Sequence, residues 1–175
     1  MRPSLPRKGL LRRIAGRHHV LICAPSGYGK TRLLQQYEQA TPGSVYLSAG
    51  MTWTYQDLLN AATRAAGLST VATSLEDLAA HGIGTLLIDD LHRLPDTTTT
   101  PLFTELHSVT LKVIGAAYHS QYPLVHQMLA KDRILLLSSQ DLAFSQDEIL
   151  AIDQGPLPPQ TLGWPSVCAL SGTAH

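Results

Sequence analysis

A short glycine-containing segment carries residue types that could hold a phosphate. It reads APSGYGKT over residues 24–31 and follows the apolar run HVLIC. The pattern of a nucleotide-binding loop is G-x-x-x-x-G-K-[ST]. Gly29, Lys30 and Thr31 match the second half of that pattern, whereas Ala24 stands at the first glycine. The segment alone therefore leaves two alternatives, a nucleotide-binding loop and a glycine-rich turn between a strand and a helix.

Each matched residue has a chemical role in such a loop. The ammonium of Lys30 can reach the outer phosphates, and the hydroxyl of Thr31 can ligate Mg²⁺. Backbone N–H groups and the positive end of the following helix favour a triphosphate, which glycines allow to approach closely. For the Tyr28 ring, packing is favoured over contact with a base. The nucleotide-binding residues predicted in and after this segment are Pro25, Ser26, Gly27, Tyr28, Gly29, Lys30, Thr31 and Arg32.

Two adjacent carboxylates follow a second apolar run. The run TLLIDD places Asp89 at the end of a predicted strand, where a carboxylate can hold Mg²⁺ through water. Asp90 follows directly and could orient or deprotonate an attacking water. Two aspartates could also simply end a strand, but their combination with the loop favours nucleotide binding. We therefore predict Lys30 and Asp90 as catalytic residues, and Thr31 and Asp89 as metal ligands.

The elements that position these residues follow from the apolar pattern. Five short apolar runs alternate with helical patterns, which is typical of a parallel α/β sheet with right-handed crossovers. Ligands of such sheets bind at the carboxyl ends of the strands. The polar run DTTTT predicts a flexible loop, and Pro101 is expected near the first turn of the helix that follows. The spacing of Ser145 and Glu148 predicts a capping box.

Together, the motifs and elements predict the P-loop NTPase fold. This is an α/β fold, a three-layer α/β/α sandwich with a five-stranded parallel sheet in the order 5-1-4-3-2, followed by a short helical C-terminal segment. The predicted domains are a nucleotide-binding domain over residues 1–153 and the start of a helical subdomain over residues 154–175.

Composition excludes several other classes. Apolar residues make up 44% and charged residues 15% of the chain, as in globular domains. No apolar run approaches the roughly 20 residues that span a bilayer, so we expect a cytoplasmic protein without a membrane partner. Cys23 and Cys168 lie in apolar runs and are expected to be free, buried thiols. The eight histidines show no metal-ligand spacing.

Basic residues are concentrated at the N-terminus. Six of the thirteen lysines and arginines fall within the first seventeen positions, and the net charge of the whole chain is zero. These six lack interleaved aromatic residues and any DNA-reading motif. They favour a solvated helix near a phosphate site, so no specific DNA binding by this chain alone is expected. They are Arg2, Arg7, Lys8, Arg12, Arg13 and Arg17.

The order of the motifs resembles that of signal-transduction ATPases of the STAND class. The resemblance is strongest to the ATPase module of maltose-regulator-like bacterial transcription activators, the large LuxR-type regulators. It rests on APSGYGKTRLL, LLIDDLHRL, RILLLSSQDLAFSQDEI and GWPSVCAL. Alanine at the first loop position is common in that family. The resemblance implies that Arg2 and Pro3 help to enclose the adenine, and that Pro165 lies near the nucleotide.

The resemblance also implies a function. It implies a switch operated by ATP and ADP with Mg²⁺, coupled to self-association and belonging to a transcriptional regulator. The family often places a Thr-Ser-Arg sensor after the fourth strand, where this chain has Ala116, Ala117 and Tyr118. The missing arginine predicts slow hydrolysis. Two alternatives remain open: a degenerate P-loop interaction module without turnover, and a small-molecule kinase, which the lack of a lid-like arginine cluster disfavours.

Overall fold

Five parallel strands form a single sheet at the centre of the molecule. The computed structural model of the 175-residue chain describes residues 7–119, 122–145 and 148, with only the backbone described at positions 123 and 124. Every strand pairing is parallel, and the order is β2-β3-β4-β1-β5. The strands are β1 (His19–Cys23), β2 (Ser44–Ser48), β3 (Thr85–Asp89), β4 (Lys112–Ala117) and β5 (Ile134–Leu137). The predicted parallel sheet and its order are thereby confirmed.

Helices cover both faces of this sheet. In the described part of the chain they are α1 (Lys8–Ala15), α2 (Lys30–Ala40), α3 (Tyr55–Ala65), α4 (Leu75–Ala80), α5 (Asp96–Glu105), α6 (Pro123–Ala130) and α7 (Ser139–Leu142), with a 3₁₀ turn at Leu91–Arg93. One apolar cluster joins α3, α4, α5 and α6 to the sheet, and a second joins α1, α2 and α7 to it. The three-layer α/β/α prediction is confirmed. None of the described helices is both long and apolar enough to cross a bilayer.

Burial explains why the strands appear as continuous apolar runs. All five residues of β3 are buried, and in β1 only Cys23 is partly exposed. A parallel strand covered by helices on both faces has no solvent side, so polar and apolar residues do not alternate along it. Asp89 is therefore exceptional, since it is a carboxylate at the end of a fully buried strand.

The prediction for the threonine-rich run was wrong. The DTTTT segment is the first half of α5, which begins at Asp96, so Pro101 lies inside the helix rather than in its first turn. Thr98 and Thr99 are buried, and the Thr98 hydroxyl donates to the carbonyl oxygen of Trp53 at 2.6 Å. Burial of these two threonines, with the Thr98 hydroxyl hydrogen-bonded, overrides the loop preference of a polar run.

The predicted capping box is confirmed. The backbone N–H of Ser145 donates to the Glu148 carboxylate at 2.9 Å, and the backbone N–H of Glu148 donates to the Ser145 hydroxyl at 3.2 Å. The second predicted domain, residues 154–175, lies outside the described residues.

Candidate nucleotide-binding site

The glycine-containing loop lies at the carboxyl edge of the sheet, beside the end of β4. The backbone N–H of Ala24 donates to the carbonyl oxygen of Ala117 at 3.3 Å, which extends the pairing of β1 and β4 into the loop. The strand β4 separates β1 from β3. Because neighbouring strands are about 4.8 Å apart, the loop and the end of β3 face each other across about 10 Å.

The loop backbone needs glycine at two positions but not at its first. Gly27 has φ +86° and Gly29 has φ +78°, in the left-handed region that residues with a Cβ rarely adopt. Among the described non-glycine residues, φ is positive only at Asp90 and Asp132, so Ala24 has an ordinary backbone. Its methyl group is buried, with 2% of the residue exposed. An alanine therefore fits the place where the nucleotide-loop pattern has its first glycine.

Lys30 is the first residue of α2, and its ammonium lies on the loop's own backbone. The Nζ atom donates to the carbonyl oxygen of Ala24 at 2.6 Å and to that of Pro25 at 3.0 Å. Burial lowers the pKa of Lys30, and the carboxylates of Asp89 and Asp90 oppose this shift. Within the described part of the chain, no carboxylate lies within ion-pair distance of this ammonium. Lys30 is thus a partly desolvated cation whose hydrogen bonds to described residues go to neutral carbonyl oxygens.

Three donors among the described residues converge on the carboxylate of Asp89, a residue that is only 4% exposed. The Thr31 hydroxyl donates to Oδ2 at 2.6 Å, and the Tyr46 hydroxyl donates to the same oxygen at 2.9 Å. The backbone N–H of Asp90 donates to Oδ1 at 2.9 Å. A hydroxyl that donates its only hydrogen keeps its oxygen lone pairs, so Thr31 can still ligate a cation.

The chemistry of these groups fits Mg²⁺. This ion prefers oxygen ligands and commonly takes one or two protein oxygens together with phosphate oxygens and water. The described residues contain no group of three or more histidine, cysteine and acidic side chains placed to hold a metal ion. A cation beside Thr31 and Asp89 would therefore take its remaining ligands from a phosphate and from water.

Asp90 has a very different environment from Asp89. Its backbone is left-handed, with φ +52°, and its side chain is 40% exposed. The Arg93 guanidinium lies 3.7 Å from Asp90 Oδ2. The backbone N–H of Arg93 donates to the backbone carbonyl oxygen of Asp90 at 2.8 Å. The bend at Asp90 thus separates a buried carboxylate from one that water can reach.

The other residues that the sequence singled out lie in different environments. Pro25, Ser26 and Arg32 are exposed, and Tyr28 is partly buried against the apolar cluster of α1 and α2. Arg2, Pro3, Pro165 and Cys168 lie outside the described residues. Cys23 is a free, partly buried thiol, and burial raises its pKa to about 11, with Lys30 acting in the opposite direction. Tyr118, at the expected sensor position, is 56% exposed, and its ring lies 6.4 Å from that of His92.

Sequence reasoning missed Tyr46. Its hydroxyl reaches Asp89 because β2 and β3 are neighbours, with Tyr46 paired to Leu87 and Ser48 paired to Asp89. A tyrosine two residues before the partner of a carboxylate can extend along the strand to reach it. The predicted strand order makes β2 and β3 neighbours and aligns their carboxyl ends, so this contact could have been inferred from it. No sequence motif marks Tyr46.

A sheet of this order, with a left-handed glycine loop before a helix and a buried carboxylate two strands away, defines the P-loop NTPase fold. The chain belongs to the MCM P-loop domain family, which matches residues 6–124. No curated protein matches the chain.

Solved structures share the fold at low sequence identity. A STAND protein with a tetratricopeptide repeat sensor from Pyrococcus horikoshii aligns with a TM-score of 0.59 at 17% identity, covering 94% of this chain and 29% of that protein. A Walker-type ATPase of Pyrococcus abyssi aligns with a TM-score of 0.56 at 12% identity, covering 98% of this chain and 69% of that protein. The RuvB Holliday junction branch migration motor of Thermotoga maritima aligns with a TM-score of 0.51 at 18% identity, covering 83% of this chain and 50% of that protein. The chain thus spans less than a third of the STAND protein.

Proposed function

We propose that the chain is an ATP-binding regulatory module that hydrolyses ATP slowly in the presence of Mg²⁺. The observation that carries the proposal is the 2.6 Å hydrogen bond between Thr31 and Asp89. This bond joins the first residues of α2 to the end of β3, which are the two places where a nucleotide loop and its metal carboxylate must meet.

The residues take the following roles in this proposal. The backbone N–H groups of the loop and the start of α2 bind the phosphates. The Lys30 ammonium exchanges the carbonyls of Ala24 and Pro25 for outer phosphate oxygens, which are charged and therefore stronger acceptors. Thr31 and Asp89 hold Mg²⁺, which when bound neutralises developing negative charge on the phosphates. The exposed carboxylate of Asp90 orients the attacking water.

Further contacts of the nucleotide are proposed from the motif and the resemblance. Backbone and side chains of the loop and of Arg32 surround the phosphates. Arg2 and Pro3 enclose the adenine, and Pro165 lies near the nucleotide. These contacting residues are Pro25, Ser26, Gly27, Tyr28, Gly29, Arg32, Arg2, Pro3 and Pro165.

Slow turnover follows from the charge at the expected sensor position. An arginine that reaches the γ-phosphate is worth about 10³–10⁵ in rate. Tyr118 carries no such charge, and the Arg93 guanidinium lies 3.7 Å from the Asp90 carboxylate. Binding therefore needs only groups that the site has, whereas fast hydrolysis needs one that Tyr118 does not supply.

Thermal unfolding with nucleotides tests the proposal. A ligand that binds only the folded state adds about 2.7 kcal/mol at one hundred times its Kd, so ATP and ADP should raise the melting temperature, and more so with Mg²⁺. GTP at the same concentration controls for base selectivity. If neither adenine nucleotide shifts the transition at millimolar concentration, the proposal is wrong.

Tyr118 also favours a second candidate, a degenerate P-loop protein-interaction module without turnover. Single-turnover hydrolysis of bound ATP distinguishes the two. Slow conversion to ADP supports the first proposal, and intact ATP after many hours supports the second.

We further propose that the module belongs to a maltose-regulator-like transcriptional regulator and that ATP promotes its self-association. The motif order supports the first point, and the resemblance to STAND ATPases supports the second. Light scattering with ATP and Mg²⁺ measures the association, and a mass that stays monomeric contradicts it.

A further inference from the structure

Tyr46 places a phenol hydroxyl on the buried carboxylate of Asp89. It lies in β2, in the middle of five residues that pair with β3 in parallel register. Its ring is half-buried and packs against the apolar cluster of α1 and α2, while its hydroxyl donates to Asp89 Oδ2 at 2.9 Å. The ring of Tyr46 therefore contributes apolar packing, and its hydroxyl contributes a hydrogen bond to Asp89.

The oxygen that Tyr46 contacts is the same one that Thr31 contacts. Thr31 belongs to the nucleotide loop motif, and the third donor is a backbone N–H. Among the described residues, Tyr46 is thus the one side chain outside the loop and β3 that holds this carboxylate.

A carboxylate that is 4% exposed cannot replace a lost donor with bulk water. Without the phenol, Oδ2 would keep only the Thr31 hydroxyl, which the proposed metal also needs. Groups that orient metal-binding residues commonly change metal affinity by 10–100-fold when they are removed.

We propose that Tyr46 is a positioning residue for Mg²⁺, one that holds the Asp89 carboxylate in the orientation in which it and Thr31 bind the ion. The proposal rests on the proposed function, and it assigns a role to a residue that belongs to neither sequence motif.

The test is Tyr46→Phe, which keeps the ring and removes the hydroxyl. ADP affinity is measured by calorimetry in EDTA and over a MgCl₂ titration. We expect the Mg²⁺ concentration that gives half of the increase in ADP affinity to rise about tenfold in this variant. The affinity for ADP in EDTA should stay within about twofold of wild type. Tyr37→Phe is the matched control, since Tyr37 is a buried tyrosine of α2 whose ring faces Lys112; it should leave both quantities unchanged.

Each outcome bears on a separate statement. If wild type binds no ADP, the proposed function is wrong. If wild type binds ADP but Tyr46→Phe leaves the Mg²⁺ midpoint unchanged, the role of Tyr46 is wrong. Equal losses with and without Mg²⁺ also contradict it, because they indicate a general structural defect.

A second comparison holds even if Tyr46→Phe lowers stability. In an Asp89→Asn background the carboxylate is already lost, so adding Tyr46→Phe should not change the Mg²⁺ midpoint further. A further several-fold change in that background would overturn the proposal.

Discussion

Arg7 and Lys30 are both cations partly withdrawn from water, but they are held by different partners. The Arg7 guanidinium donates to the carbonyl oxygens of Leu142 at 2.9 Å and Ala143 at 3.2 Å, and its Nε lies 2.9 Å from the Glu148 carboxylate. Among the residues that the structure describes, the Lys30 ammonium donates to two carbonyls of its own loop.

This difference separates a structural cation from a ligand-binding one. Arg7 fastens the segment before α1 to the segment after β5, and a carboxylate balances its charge. Burial lowers the pKa of Arg7, and Glu148 opposes that shift. Lys30 has no such partner among the described residues and can give up its carbonyls to an incoming anion. The comparison predicts that Arg7 supports stability and Lys30 supports binding.

Arg7→Ala should produce the largest effect on stability. It removes the cation from the Glu148 carboxylate, which keeps the Ser145 N–H, and it removes the Arg7 donors from two carbonyls, at a cost of about 3–4 kcal/mol. Chemical denaturation measures the loss, with the exposed Arg12→Ala as the control. Lys30→Ala without nucleotide should change stability by less than about 1 kcal/mol. Equal losses for Arg7→Ala and Lys30→Ala would break the comparison.

His19, like Arg7, is a buried titratable residue with a structural role. Its Nε2 lies 3.0 Å from the Leu106 carbonyl, and the Val113 N–H donates to its Nδ1 at 3.2 Å. Because Nδ1 accepts a hydrogen bond, it cannot also carry a proton there. Burial is the main cause that lowers the pKa of His19 to about 4, from 6.5.

Stability should therefore depend on pH through His19. Between pH 6.5 and 4 the unfolded state binds the proton and the folded state does not, so stability is full above pH 6.5 and is lost as the pH falls. The loss is about 3 kcal/mol by pH 4. Denaturation of His19→Gln over this range should show a shallower slope, and an unchanged slope would contradict the assignment.

Asp90→Asn probes the exposed side of the site. Asparagine tolerates the left-handed backbone at this position, so the fold should be retained. Loss of the carboxylate that orients the attacking water should slow single-turnover hydrolysis by about 10²-fold and leave ADP affinity unchanged. If the hydrolysis rate is unaffected, Asp90 does not orient the water, and the distinction between its role and that of Asp89 fails.

The parts of the fold that could be predicted from sequence have local causes. Buried parallel strands leave continuous apolar runs, and the capping box at Ser145 and Glu148 depends on a spacing of three residues. The beginning of α5 could not be predicted in this way. Thr98 and Thr99 are buried in the helix, and the Thr98 hydroxyl bonds to the carbonyl of Trp53, which is 45 residues away.

The site shows the same division. The positions of Lys30, Thr31 and the two aspartates follow from a motif and from the carboxyl ends of strands. The Tyr46 contact depends on strand adjacency and register, and the Arg7 contacts join residues that are 135 and 136 positions apart. No local pattern encodes such pairs, because each partner alone resembles an ordinary surface or core residue.

The most direct test of the account is the affinity of Lys30→Ala for ADP with Mg²⁺, measured by calorimetry beside wild type and Lys131→Ala. Lys131 is exposed at the end of α6, far along the chain from the loop, so its variant controls for loss of charge. We predict that wild type and Lys131→Ala bind ADP alike and that Lys30→Ala binds at least about 100-fold more weakly, a difference of about 2.7 kcal/mol. Equal binding by Lys30→Ala, or no binding by wild type at millimolar ADP, would contradict the account.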